Sequence, residues 1–456
     1  MNDTVSKTKY GIDMTSGNIL RALIVFAVPV LLGDLLQQLY GIADSVIVGR
    51  NIGKIAFAAV GSTAYITNIM IGFFSGLSVG ATAIVARRFG SRDREALERA
   101  VYTTIIMTFV VGLIMSAAGV VCSPLLLRLT KVSDEVYSEA LVYLRIFFAG
   151  SLGLIMYNML SGIMRAVGDS TRPLYFLAAC TVLNLILDLL FVVAFRWGIA
   201  GAALATILSQ FISCAVILAV ISRPGEVCRV NWKLGRISKP ELHGIVSIGM
   251  PMGVQKIITS ISNVIVLSYV NCFGTDCTAG WSAYFKVESA IMAPIMSLTM
   301  AATTLVGQNL GAGNYPRIRD GVKKALLFSV AVTVCIVAPV CVFAGHFVSA
   351  FGNDPGMIEY GSLFIRQNAP WLLLGCFNNV FSGALRGKGD SRIPMYIMLF
   401  SFVLFRQLYL FFGTQVFTGI RFAVFSYPAG WIMCTLCLAL YWVIKKPFNS
   451  LEKQRK

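Results

Sequence analysis

The sequence predicts an all-α integral membrane protein with twelve transmembrane helices in two parallel six-helix repeats. Three observations predict it: an apolar composition, an internal duplication and an uneven distribution of basic residues. Of the 456 residues 57% are hydrophobic and only 13% charged, about half the roughly 25% charge of an ordinary soluble domain. The mean hydropathy is +0.76. Residues 158–173 read NMLSGIMRAVGDSTRP and residues 379–394 read NVFSGALRGKGDSRIP, identical at eight of sixteen positions at an offset of 221. Val28-Pro29 and Met250-Pro251 repeat the pattern at an offset of 222. One unit has been used twice, which in an apolar chain marks a secondary transporter.

Gly and Pro punctuation with clusters of charge sets twelve apolar segments, near 18–48, 55–86, 97–122, 136–164, 173–195, 199–221, 243–270, 278–307, 320–346, 357–385, 394–412 and 420–444. Each approaches or exceeds the roughly 20 residues that a spanning helix requires. Six fall in each half, and an even number returns the chain to its starting side, so the repeats are parallel. The expected organisation is a first lobe at 1–222, a basic linker at 223–242 and a second lobe at 243–456. The polar start, MNDTVSKTKYGIDMTSG, has no apolar signal core, so the first span is expected to stay.

Along the spans, Pro29 in the first and Pro251 in the seventh each remove a backbone hydrogen bond, which makes both hinge candidates. Gly72, Gly76 and Gly80 form a small-residue ladder on the second span, suited to close backbone packing. The fifth carries Asn184 and Asp188, four apart and on one helical face; the first carries Gln37, Tyr40 and Asp44 as another polar stripe, with Asp34 turned away. The seventh carries Gln255 and Lys256, the eighth Lys286 and Glu288, and the eleventh Arg406.

Net charge is +17, but most of the Lys and Arg sit in alternate connections, in the linker and at the ends. That is the positive-inside pattern, and it places both termini and the linker in the cytoplasm. No aromatic-interleaved basic surface on a soluble domain suggests nucleic acid. There is no phosphate-cradling glycine loop, zinc spacing or nucleophile elbow, which argues against an enzyme or an ATP-driven pump and leaves an ion gradient as the energy source, with no cofactor. The eleven Cys lie mostly in spans, where they pack as small apolar groups; Cys434 and Cys437 read as packing, and Cys272 and Cys277 flank an external turn.

Intramembrane ionisable groups are costly and mark pathways. The first half holds Asp34, Asp44 and Asp188 with no base of comparable depth; the second holds Lys256, Lys286 and Arg406 with one acid, Glu288. Unpaired buried carboxylates must be protonated, hydrated or bound to a cation, so ion coupling is expected in the first half and a structural or gating ion pair in the second. Asp34, Gln37, Tyr40 and Gln255 are candidates for the substrate cavity.

Strings such as VPVLLGDLLQQLYGIADSVIVGR, GFFSGLSVGATAIVARRFGSRD, LNLILD, GIAGAALAT and TTLVGQNLGAGNY, with the duplicated SGIMRAVGDSTRP and SGALRGKGDSRIP, resemble the multidrug and toxic compound extrusion (MATE) transporters, in their DinF-like bacterial group. The resemblance covers almost the whole chain. It implies two six-helix bundles forming a V, exporting organic cations or other toxic compounds in exchange for H⁺ or Na⁺. It also implies a cation site of Asp44, Asn184, Asp188 and Thr206, which would hold Na⁺ if that is the coupling ion. Acids that some members carry in the seventh and tenth helices are replaced here by Gln255, Lys256, Asn378 and Asn379. The expected partners are small organic substrates and the bilayer, in a monomer; a flippase for lipids or lipid-linked oligosaccharides is the alternative.

Overall fold

The computed structural model describes residues 11–417 and 419–448, and every regular element among them is helical. In the first half α1 spans Ile19–Asn51, α2 Lys54–Gly90, α3 Arg94–Leu129 and α4 Asp134–Ala166; α5 runs from Thr171 to Asp188 and on through a π-helical turn, Leu189–Ala194, and α6 spans Gly198–Ile221. In the second half α7 spans Lys239–Asn271, α8 Thr275–Gly311 and α9 Tyr315–Val342, followed by a short helix, Ala344–Ser349. The tenth element, α10, has two pieces, Pro355–Asn368 and Leu372–Lys388, joined by a 3₁₀ turn at Ala369–Trp371. Then α11 runs Arg392–Leu399, a π turn Phe400–Phe405 and Arg406–Gly413, and α12 spans Ile420–Lys445.

Eleven of these helices are long and apolar enough to cross a membrane. The exception is α10: Pro370, in its 3₁₀ turn, leaves pieces of 14 and 17 residues, each short of a span alone. Twelve segments are therefore present at the places the sequence indicates.

The duplication is structural as well as sequential. Thr82 donates its hydroxyl to the Gly162 carbonyl (3.2 Å), and Thr303 donates to the Gly383 carbonyl (3.0 Å). Asp93 caps α3 by accepting from Ala96 N–H, and Asn314 caps α9 by accepting from Arg317 N–H. In the repeated GDS turns Gly168 and Gly389 have φ of +88° and +103°, a left-handed conformation that favours glycine.

Compactness groups the chain differently from its linear order. One unit comprises Met14–Leu31 with Val254 onward; the other comprises the described residues up to Asp13 with Leu32–Gly253. The divisions lie inside α1 and α7, just past Pro29 and Pro251. In the second of these units the glycine ladder of α2 is read out directly. A Cβ on Gly76 would collide with the backbone of Gly253, and one on Gly80 with the backbone of Gly249 and Ile245. The opening turns of α7 thus lie backbone to backbone on α2, and Arg88 pairs with Glu241 at 2.8 Å beside them. All eleven cysteines are free thiols.

Candidate ion-coupling site

Four helices of the first repeat converge on a polar cluster. Asp44 comes from α1, Tyr143 from α4, Asn184 and Asp188 from α5 and Thr206 from α6. Periodicity sets the local arrangement: Asn184 and Asp188 are one turn apart and both buried, at 2% and 1% exposure, and Asp44 is 9% exposed. With its amide nitrogen turned to the carboxylate, Asn184 donates to Asp188 Oδ2 at 2.9 Å, and its oxygen accepts from Thr206 N–H at 3.2 Å. Tyr40 donates its hydroxyl to Thr206 Oγ1 at 3.2 Å. Asp188 ends the α-helical part of α5, and the π turn begins at the next residue. Such turns widen a helix locally and are frequent at functional sites.

Electrostatics make the cluster unusual. Asp44 and Asp188 are near enough for their charges to repel, and buried Tyr143 is within electrostatic reach of both. Among the described residues neither carboxylate has a Lys or Arg within 4.0 Å. Asp44 Oδ1 and Asp188 Oδ1 are buried without a hydrogen-bond partner. Two acids, each with a bare oxygen and ringed by an amide and three hydroxyls, can share protons or ligate a small monovalent cation through hard oxygen donors. Asn184 fixes Asp188, and the Tyr40–Thr206 bond ties α1 to α6 across the cluster.

The remaining sequence candidates divide. Asp34 does not join Asp44 and Asp188: it is half-buried, and its electrostatic partner is Arg165. The expectation that no first-half acid has a base is corrected there, because the end of α4 brings the arginine of the repeated motif to α1. Gln37 is exposed, one turn from half-buried Tyr40. Gln255 is buried and donates its amide to Met398 Sδ at 2.8 Å. Tyr143 is the residue that sequence reasoning missed. An uncharged aromatic on an apolar helix carries no signal in isolation, and only the fold sets it opposite the two acids.

In the second repeat the expected ion pair does not form. Among the described residues Glu288 has no cation within 4.0 Å, and its Oε2 is buried without a partner. Arg406 influences Glu288 but gives its Nη2 to Ser262 Oγ (2.7 Å) and Asn263 Oδ1 (2.8 Å), and its guanidinium lies 4.7 Å from the centre of the Tyr427 ring. Neutral oxygens and an aromatic face meet one side of the planar fork, while Nε is buried without a hydrogen-bond partner. Lys286 is exposed with its ammonium 5.3 Å from the centre of the Phe351 ring. Lys256 has no hydrogen bond or ion pair with another described side chain.

The sequence profile of the MatE family matches residues 29–190 and again 251–410, one match in each copy of the repeat. The chain is 30% identical to the probable multidrug resistance protein YpnP of Bacillus subtilis (strain 168) over 395 residues, 86% of this chain and 88% of that protein. It is 25% identical to the probable multidrug resistance protein NorM of Thermotoga maritima, over 84% of this chain and 82% of the relative. Among solved structures it resembles a MOP superfamily transporter from Pyrococcus furiosus (TM-score 0.90, 22% identity, covering 98% of this chain and 100% of that one). It resembles an outward-facing multidrug resistance transporter equally, with TM-score 0.90, 22% identity and the same coverage. At that identity the likeness to solved structures speaks for the fold, which is the twelve-helix architecture expected from the sequence.

Proposed function

The chain belongs to the MatE family of multidrug and toxic compound extrusion transporters, and on that premise we propose that it is a secondary antiporter exporting small organic compounds, organic cations among them, in exchange for H⁺ or Na⁺. The observation that carries the reading is the pair Asp44 and Asp188, two buried carboxylates that repel each other, each with a bare oxygen and, among the described residues, neither with an ion-pair partner. Such a pair is stable only with a proton or cation bound. It is therefore a place where an ion changes the relative stability of two states, and a ligand shifts an equilibrium by its differential affinity for them. Binding at Asp44, Asn184, Asp188 and Thr206 draws α1, α5 and α6 together; release leaves two like charges in apolar surroundings and drives them apart.

Pro29 and Pro251 are the proposed hinges, since the compact units divide just past each of them and proline weakens the helix there. Asp34, Gln37 and Tyr40 line the substrate path of the first repeat, Gln255 that of the second, and exclusive occupancy by ion or substrate gives exchange. The protein works as a monomer in a bacterial cell membrane, with the basic connections and both termini in the cytoplasm. The relatives are named as multidrug resistance proteins, which does not favour lipid-linked cargo.

The test is efflux of rhodamine 6G from proteoliposomes under separate pH and Na⁺ gradients, with Asp44→Asn and Asp188→Asn beside the wild type. Loss of gradient-driven efflux in both variants is expected. Full coupling in either variant removes that residue from the site.

A further inference from the structure

The two copies finish the same end of the bundle differently. At the offset of 221, Arg319, Lys323 and Lys446 stand where the first copy has Glu98, Tyr102 and Gly225. In the first copy the linker covers that end of α3: Asn231 donates its amide to Glu98 Oε2 at 2.8 Å, the Trp232 and Tyr102 rings lie edge to face with centroids 6.4 Å apart, and Ser238 N–H donates to Thr103 Oγ1 at 3.1 Å. In the second copy a groove of about 480 Å³ lies between the opening turns of α9 and the end of α12, within the roughly 300–1,000 Å³ typical of small-ligand sites. Arg319, Lys323 and Lys446 line it, and no acid is among its lining residues. All three cations are exposed, and among the described residues neither Lys323 nor Lys446 has an ion pair. The neighbouring acid, Asp320, is taken by Lys324 at 2.7 Å.

Aromatic rings line the same groove, and its outer edge is apolar. The centroids of Phe381 and Trp442 lie 4.2 Å apart, and those of Trp442 and Phe448 5.4 Å apart. Lys446 caps α12 in a left-handed conformation, with φ of +41°, which is uncommon for a residue with a Cβ. The turn brings Phe448 back onto Trp442, where it is 3% exposed, and so holds Lys446 at the rim. Beyond the rim Leu436, Leu440 and Val443 follow one another on one face of α12, and they are 59%, 62% and 68% exposed. In a bilayer such a stripe faces acyl chains. Cations and a tryptophan at a helix end, above a lipid-facing stripe, complement a charged head and an apolar tail together. We propose that this groove binds an anionic phospholipid, its phosphate held by Lys323 and Lys446 with Arg319 beside them, and one acyl chain lying along Leu440 and Leu436. The eight residues after Phe448 carry three Lys or Arg and one Glu; they share the sign of the groove and are the poorer complement. The orientation proposed above puts the lipid in the cytoplasmic leaflet, while binding itself stands apart from the export reading.

The test is native mass spectrometry of the full-length protein released from dodecyl maltoside micelles and titrated with dioleoyl phosphatidylglycerol or dioleoyl phosphatidylcholine. The wild type is expected to bind its first phosphatidylglycerol roughly tenfold more tightly than phosphatidylcholine. Lys323→Gln combined with Lys446→Gln should erase that preference and leave phosphatidylcholine binding unchanged. Lys324→Gln removes a cation of the same helix that does not line the groove, and should keep the preference. Glycerol 3-phosphate at the concentration of the lipid should not displace it, because it has no acyl chain; displacement would make the groove a site for soluble phosphates and overturn the proposal. Equal binding of the two lipids by the wild type overturns it, as does the same loss in Lys324→Gln, which would reduce the effect to overall surface charge. If phosphatidylglycerol binds only once residues 449–456 are removed, the end of the chain is the occupant and the proposal fails. The substituted lysines are exposed, so the double variant should melt with the wild type in lipid-free micelles; a lower melting temperature would give the lysines a structural role and overturn the lipid assignment. Because the mass spectrum reads binding alone, a failure of the Asp44 and Asp188 variants to stop export would leave this result standing.

Discussion

The first repeat gathers two acids, an amide and three hydroxyls where the second sets aliphatic and aromatic side chains beside one arginine and one glutamate. Carrying the repeat offset across, Asp44 corresponds to Val266, Tyr143 to Phe364 and Thr206 to Tyr427. Those three counterparts belong to one buried cluster with Trp281 and Tyr284. The shared hydroxyl-to-carbonyl bonds, caps and left-handed turns fix how a six-helix bundle is built. What each bundle does is decided at positions where the copies disagree, because a charge tolerated in one place is uncompensated in the other.

The largest expected difference is in coupling. Asp188→Asn should reduce gradient-driven export to the level of protein-free liposomes, whereas Glu288→Gln, in the second copy, should leave export driven by the gradient; loss in both would place coupling in both repeats. Next in size is a graft. Val266 is fully buried, and Val266→Asp, which puts the acid of the first copy into the second, should cost roughly 3–5 kcal/mol in thermal unfolding, since it buries a carboxylate where an aliphatic side chain packs. A graft without such a cost would show that the second copy already holds a cation-compatible site.

The repeated turn gives a smaller, graded contrast. Gly168→Ala and Gly389→Ala should each lose about 1–2 kcal/mol for the left-handed backbone. The first should lose more, because a Cβ at Gly168 meets the carbonyl of Ile12. Equal losses would mean that the segment around Ile12 contributes nothing to the turn. The smallest effect belongs to Tyr40→Phe, which removes the bond to Thr206 and should change stability by about 1 kcal/mol while moving the half-saturating ion concentration more than maximal export. An effect on maximal export alone would separate Tyr40 from the ion site.

Much of the fold was legible because a bilayer leaves few options. Every backbone polar group in the apolar layer must be bonded within its segment, so apolar runs of sufficient length are helices. The ion site was half legible. Asn184 and Asp188 follow from a four-residue spacing, Asp44 from its depth in the first span, and Thr206 from family resemblance. Tyr143 carries no sequence signal. The base opposite Asp34 was invisible for a different reason: Arg165 reads as part of a basic connection, while folding turns it into the interior.

The sequence by itself determined the class, the duplication, the spans and the sign of each buried charge, because hydrophobic length and helical period are local properties of a chain. Only the tertiary structure decided what each group meets: Asp34 within the field of Arg165, Arg406 with the oxygens of α7 in place of Glu288, and the first turns of α7 with the glycines of α2. Those depend on which helix faces stand opposite one another. The energy of a charge depends on its neighbours within a few ångströms, and residues more than a hundred positions apart along the chain supply them.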